Sequence, residues 1–596
     1  MKLLRKNYVT LALTSYVILS GCNKPYVPSV SVVPNPLEVH GDSVAFDVTG
    51  SLPLKKLKKK RVYTVDGFYK YGDQTIKVGT LEYKGVDYPN SKTVEPKISK
   101  HFSFAYKPEI GNGNLVAVGT NFNADKTKGK AAPEVTIATG LITTSRLVLN
   151  YYHVVYAFHG YNDMEELIST TVPFYFEQGK SKLRKSEMTG HHAKFLDAFI
   201  AKKNVTRTVS IIGTHSPEGT EAKNSFLAGD RATVIEKYYK ERLAHHNLKA
   251  WVDSIKFVTK GIVLDYEPLR KELADDTTNI LTADEKSQVL NIVNGSGSFE
   301  SKQEQLSKLP FYKHLFTKIY PKLRNAKTEI LTVKPKKSRA EIALLAKGIA
   351  EGTLKLDTLT EEELLYAATL TPILKEKEAI YTAAIKKSDS WVSHNNLGAV
   401  YLDMAKKEID ENQKLKLVDM AVNQLNLSAT AKDNAEAHTN LATANLLKGV
   451  RTTTAEEINK ANALSPNDDT KKGLYGIQGV LDIKDGKYDA AVQDLSKSSD
   501  SLVVLYDLAL ANLLKKDFNA AKAGFATVTT KDPNGVVGSW AYYLSAVTAA
   551  RQQDEGGVTS NLKKAVALNK SFVDKALSDL EFKNYFASEN FKNSLK

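Results

Sequence analysis

Cys22 is the one cysteine in a chain of 596 residues. It follows a positive start (Lys2, Arg5, Lys6), an uncharged and largely apolar run over residues 7–21, and the small pair Ser20-Gly21. A disulfide framework or a thiolate zinc site would need several thiols. Arg231 has a planar fork that can grip a carboxylate through two charge-assisted hydrogen bonds. Ser216 stands beside His215, but no nucleophile-elbow spacing and no orienting acid accompany the pair, so a hydrolase is not indicated. His191-His192 and His245-His246 are adjacent pairs. Neighbours on a helix point about 100° apart, which is poor geometry for chelation. The chain contains no phosphate-binding Gly-x-x-x-x-Gly-Lys loop, no His-Glu-x-x-His helix and no calcium loop. Gly111-Asn112-Gly113-Asn114 reads as a hairpin turn. The residue inventory therefore predicts no enzyme and no cofactor.

The elements that would position these residues change character along the chain. The apolar run over residues 7–21 is too short to span a bilayer comfortably, since about 20 apolar residues are needed, and reads as a signal peptide. Residues 22–36 carry Pro25, Pro28, Pro34 and Pro36 and read as an extended tether. Residues 37–170 show short alternating runs, among them Ser43–Val48, Phe102–Tyr106, Leu115–Val118 and Leu147–Tyr151. Punctuated by turn residues, such runs predict a β-sandwich. The basic run Lys55–Arg61 reads as a solvated loop or edge guard.

Residues 171–335 mix strands and helices. Val172–Phe176, Thr208–Gly213 and Ser254–Val258 read as strands, with helices near 186–202 and 221–243 between them. A polar helical stretch over about 265–325 interrupts this domain before the strand-like Thr328–Val333. From 337 to 596 the chain is helical and repetitive. Residues 435–468 place Leu441-Ala442 on a first helix, Ile458 and Ala461 on a second, and Pro466 in the closing turn. Residues 502–535 repeat that layout with Leu508-Ala509, Ala521, Phe525 and Pro533. Asn396–Tyr401, followed by Ala421 and Leu425, opens a third unit with extra residues between its helices.

Hydrophobic residues make up 42% and charged residues 25% of the chain, which is ample for packed cores and excludes overall disorder. The net charge of +15 suits anionic partners without naming one.

Three resemblances follow from these residues. Leu19-Ser20-Gly21-Cys22 resembles the lipobox of bacterial lipoproteins. That resemblance implies cleavage before Cys22, acylation there (palmitate among the chains) and stable anchoring by several acyl chains. Asn23, and the absence of an acidic cluster at Lys24-Pro25-Tyr26, favour the periplasmic face of an outer membrane over the cell surface.

Gly213, Gly219, Asn224, Leu227, Arg231 and Ala232 resemble the signature of the OmpA-like domain. In that family an aspartate takes the amine of peptidoglycan diaminopimelate and the helix arginine takes its carboxylate. The resemblance implies a peptidoglycan-binding set of Arg231, Asn224 and Ser216. Ser216 stands where the aspartate belongs and cannot form its ion pair; Glu218, Glu221 and Asp230 are the acids near enough to compensate. The stretch at 265–325 resembles the helical insertion of OmpA-like domains in Bacteroidota envelope proteins.

The repeats resemble tetratricopeptide repeats, four or five of them over about 391–570, and that family implies a partner-binding scaffold. The expected architecture is multidomain: lipid anchor, β-sandwich, OmpA-like α/β domain with a helical insert, and an all-α tetratricopeptide-like solenoid. The expected function is a scaffold or accessory subunit of an envelope assembly or secretion machine, with outer-membrane or other envelope proteins held through residues 391–570. The alternatives are a peptidoglycan-binding tether and a surface glycan-binding or adhesin component. Nucleic acid is not an expected partner of an exported, lipidated chain.

Overall fold

The computed structural model describes residues 28–262, 266–278 and 280–596. Cys22 and the signal-like start lie outside them. The chain divides into two compact units, one made of residues 1–160 and 342–596 and the other of residues 161–341.

The first unit opens with ten strands in two sheets. These are β1 (Ser29–Val33), β2 (Leu37–His40), β3 (Ser43–Ser51), β4 (Arg61–Tyr71), β5 (Gln74–Lys84), β6 (Lys97–Ala105), β7 (Asn114–Asn123), β8 (Gly129–Ala131), β9 (Val135–Thr139) and β10 (Leu141–Ile142). In one sheet β3 takes β6 along its whole length and β1 and β2 on its other edge, with β10 parallel to β2. In the other, β4 lies between β5 and β7, and β8 and β9 both pair with β7. Alternation along β3 sends Val44, Phe46 and Val48 inward, as period 2 requires. They meet Tyr69, Leu81, Tyr83 and Leu115 from the other sheet in one core. Tyr69 packs 4.7 Å from the Phe104 ring and donates its hydroxyl to the Ile110 carbonyl at 2.8 Å, so its buried oxygen is satisfied. Ser29–Val33, expected within the tether, is instead a strand paired with β3. Its period-2 valines outweigh the neighbouring prolines.

The helical region from residue 339 is built of helix hairpins, consistent with a tetratricopeptide-like solenoid. Trp391–Lys407 pairs with Glu411–Ala431, Ala435–Lys448 with Arg451–Ala463, Asp468–Lys484 with Tyr488–Leu495, Leu502–Leu514 with Phe518–Lys531, and Val536–Arg551 with Glu555–Leu568. Most of these helices start at a residue that caps them. Ser390, Asp410, Asn434, Asn467, Ser501, Asp517 and Asp554 each accept a bond from the backbone N–H three residues on. Buried Ala442, Ala461, Ala509 and Ala521 let helices approach, and Leu474, Leu510 and Phe525 fill the space opposite.

The second unit is a four-stranded sheet with helices. Its strands are β11 (Leu167–Tyr175), β12 (Thr206–Gly213), β13 (Lys256–Gly261) and β14 (Asn325–Val333), in the order β11-β14-β12-β13. Only β12 and β13 are parallel, and helix Glu221–His245 connects them. The helix expected over 186–202 breaks at Gly190 into Lys185–Thr189 and His191–Ala201. Between β13 and β14, short helices from Glu267–Asp275 to Tyr320–Leu323 gather a core of their own around Leu269, Val289, Leu306 and Tyr320.

Candidate functional site

The peptide that fills the repeats is their own chain. Residues 147–151, expected as a sandwich strand, join no sheet among the described residues, and residues 148–163 carry no regular secondary structure. This corrects the reading of 37–170 as one β-domain. The alternation reported an extended backbone correctly, but hydrogen-bond partners for that backbone come from side chains hundreds of residues later.

Those partners recur at one helix position. Asn396-Leu397, Asn440-Leu441, Gly473-Leu474 and Asp507-Leu508 occupy the same place in the first helix of successive hairpins. Asn396 accepts from the Ala157 N–H at 2.7 Å and donates to the Ala157 carbonyl at 3.0 Å. Asn440 does the same for Val155, at 2.8 and 2.7 Å. A side-chain amide thus plays the part of a neighbouring strand. Asn395 adds a second donor to the Val155 carbonyl at 3.1 Å and bonds to both other asparagines at 3.0 Å. Thr443 donates to the His153 carbonyl at 2.7 Å.

Where an asparagine would stand in the next hairpin there is Gly473. A Cβ on Gly473 would lie 1.9 Å from the His153 ring, and one on Gly476 would lie 2.3 Å from the Tyr151 ring. These two glycines seat rings rather than backbone, despite the helix propensity lost there, about 1 kcal/mol each. Further on, Asp507 accepts from the Leu149 N–H at 2.9 Å and Tyr506 donates to the Leu147 carbonyl at 3.0 Å. Both side chains are fully buried, and burial pushes the Asp507 carboxyl well above the ordinary range, since its charged form loses water.

The anchoring continues where the segment leaves the sandwich. Thr144 donates to Glu581 at 2.5 Å, and Glu581 pairs with the deeply buried Arg551 at 2.6 Å. Arg451 pairs with Asp485 at 3.0 Å and also with Asp42, and His40 bonds to the Tyr488 hydroxyl at 3.2 Å. At the other end the grip loosens. Phe158 is 73% exposed, and a polar cavity of about 360 Å³ runs beside Tyr152, His153, Asp403, Lys406, Asp469 and Lys472.

The sequence-predicted set in the second unit comes together, and is already engaged. Ser216, Asn224 and Arg231 are all buried around the loop that follows β12, with Arg231 only 1% exposed. Arg231 donates to the carbonyls of Thr214, Lys180 and Glu177 at 2.8, 3.1 and 3.4 Å and lies 5.4 Å from the Phe176 ring centroid. Burial, aided by the like charge of Arg324, lowers its pKa to about 10. Asn224 donates to the Glu218 carbonyl at 3.2 Å. Arg324 is the residue that sequence reasoning missed. It donates to Ser216 Oγ at 3.0 Å and to Glu218 at 2.8 Å, closing a buried ion pair. Its signal in the sequence was faint, a lone arginine between a short helix and a strand. Asn396, Asn440 and Asp507 carried a stronger one, a polar residue before leucine at matching repeat positions.

No known protein family matches the chain, and no curated protein does. Among solved structures it is similar to YrrB, described as a tetratricopeptide repeat protein with an unusual peptide-binding site. That match has 18% identity, covers 32% of this chain and 92% of that one, and has a TM-score of 0.25. It is similar to pilF of Pseudomonas aeruginosa at 11% identity, over 42% of this chain and 100% of the other, with a TM-score of 0.30. A tetratricopeptide repeat protein from Parabacteroides merdae matches at 15% identity, over 39% and 97%, with a TM-score of 0.28.

Proposed function

We propose that this chain is a non-enzymatic scaffold that binds protein partners through its helical repeats. The observation that carries the reading is the asparagine ladder, which grips an extended polypeptide by its backbone and so suits protein recognition rather than chemistry. The finer reading is an outer-membrane lipoprotein anchored at Cys22, serving as accessory subunit of an envelope assembly or secretion machine. Its support is the lipobox-like sequence and the signal-like run before it. No helix among the described residues is long and apolar enough to cross a membrane.

The OmpA-like resemblance of the second unit fits a docking module in this reading. The donors of Arg231 reach three backbone carbonyls, and Glu218, one of the acids available to compensate for Ser216, is paired with Arg324. Purification of the full chain from gently extracted membranes, followed by mass spectrometry, tests the scaffold. Envelope proteins present in near-equal amounts are expected. A clean monomer that pellets with purified sacculi, and loses this in Arg231→Ala, would replace the scaffold with a cell-wall tether.

A further inference from the structure

The segment inside the solenoid is held in two different ways, and the division falls near Tyr151. Up to that residue the grip is deep. Leu147, Val148 and Leu149 pack on the solenoid core, Tyr151 is part of it, and Asp507 and Tyr506 are buried beneath them. Beyond it, of residues 152–160, only Ala157 is buried. Tyr156 donates its hydroxyl to Asp403 at 2.6 Å and the His153 ring sits against Gly473, while the backbone of residues 153, 155 and 157 is held by the ladder of Asn395, Asn396, Asn440 and Thr443. Bonds of this kind are indifferent to side-chain identity, and water or another backbone can replace them at little net cost. The cavity beside Tyr152 and His153 leaves room along the same stretch.

We propose that residues 152–160 are an exchangeable intramolecular ligand. They keep the first half of the groove occupied until an extended segment of a partner protein, small or β-branched where Val155 and Ala157 now sit, takes their place on the same asparagines. Residues 141–151 stay in place throughout. The proposal rests on the scaffold reading and gives it a site. Tethering keeps the internal segment at a high effective concentration, so a free peptide competes poorly unless the segment is weakened.

The test uses the full chain and a fluorescent synthetic peptide of residues 150–160. In hydrogen exchange, the amides of Val155 and Ala157 are expected to exchange roughly 100-fold faster than that of Leu149, reflecting local opening. Val155→Pro/Ala157→Pro removes two N–H donors from the internal segment, and is expected to bind the peptide at least about 10-fold more tightly than wild type. Asn396→Ala/Asn440→Ala, which removes the ladder, should abolish that binding. Equal protection at Leu149, Val155 and Ala157 would overturn the proposal. So would peptide binding that survives loss of both asparagines, or no binding to the proline variant. Collapse of the helical unit in the proline variant would show the segment to be structural and overturn it equally. In each of these cases partners that co-purify with wild type would still stand for the scaffold, on another face of the repeats.

Discussion

Two buried polar clusters lie in the two units, and they are built on opposite electrostatic terms. The groove of the solenoid uses neutral amides: Asn396 and Asn440 match donor and acceptor to a backbone, and Asn395 joins them and donates to the same strand. The loop of the α/β unit uses charges, with buried Arg324 closed on the half-buried Glu218 and buried Arg231 closed on carbonyls. A neutral ladder can open at lower cost, because a freed amide carries no net charge. A charged cage cannot, because losing one member leaves a bare charge in a poor solvent for it. The contrast separates a region made to exchange partners from one made to stay shut.

The largest effect is expected where a charge is orphaned. Arg324→Met leaves Glu218 without its partner and should destabilise the α/β unit by about 3–5 kcal/mol, read by faster amide exchange over Thr206–Gly213 and Asn325–Val333. Adding Glu218→Leu should recover most of the loss, since a buried ion pair is often no better than well-packed apolar residues. An Arg324→Met protein as stable as wild type would erase the contrast.

Next in size is the double variant Asn396→Ala/Asn440→Ala. It removes two bidentate contacts and is expected to cost about 2–3 kcal/mol at the net worth of such bonds. Loss of protection should be confined to residues 153–160. A collapse of the whole helical unit would mean that the ladder is as unforgiving as the cage.

Asp507 sits between the two designs, a charged residue at an asparagine position. Asp507→Asn keeps the acceptor for the Leu149 N–H, removes the penalty of a buried carboxylate, and should stabilise the unit by about 1–2 kcal/mol at neutral pH. The sign with pH follows from the raised carboxyl. Between the ordinary carboxylate pKa and the raised folded value, the folded state holds a proton that the unfolded state releases, so wild-type stability falls as pH rises. The advantage of Asp507→Asn should therefore grow through that window and vanish in acid. Thermal melts of both proteins across pH would show it, and a constant difference would refute it.

The smallest change in stability belongs to Gly473→Ala. The helix gains about 1 kcal/mol in propensity, while the new methyl meets the His153 ring. Near-unchanged melting with faster exchange at Val155 is expected; unchanged exchange would mean that the ring yields and the backbone does not.

Much of this molecule was legible from local pattern. Val44, Phe46 and Val48 announced β3 by alternation, and Leu441-Ala442 with Ile458 and Ala461 announced a helix hairpin by spacing. Arg231, Asn224 and Ser216 were legible as a cluster, since one loop and the helix after it carry all three. What the cluster was bonded to was not legible, because Arg324 arrives from beyond an insertion of several helices. Leu147–Tyr151 failed for the same reason. Its residues specify extended backbone, and extended backbone must be paired, but the nearest strand in sequence was not the partner. Ala157 finds Asn396 at a separation of 239 residues and Leu149 finds Asp507 at 358.

Those separations also order events during synthesis. Residues 147–158, Leu-Val-Leu-Asn-Tyr-Tyr-His-Val-Val-Tyr-Ala-Phe, carry no Asp, Glu, Lys or Arg and are rich in β-formers, the composition that self-associates most readily when left bare. They leave the ribosome before the second unit and before every repeat that will cover them. At about 5–20 residues per second the wait for Asn396 is roughly 10–50 s. In the nascent chain the solenoid therefore acts as a late-arriving cover for a sticky segment, and chains stalled before the repeats should be the ones that aggregate.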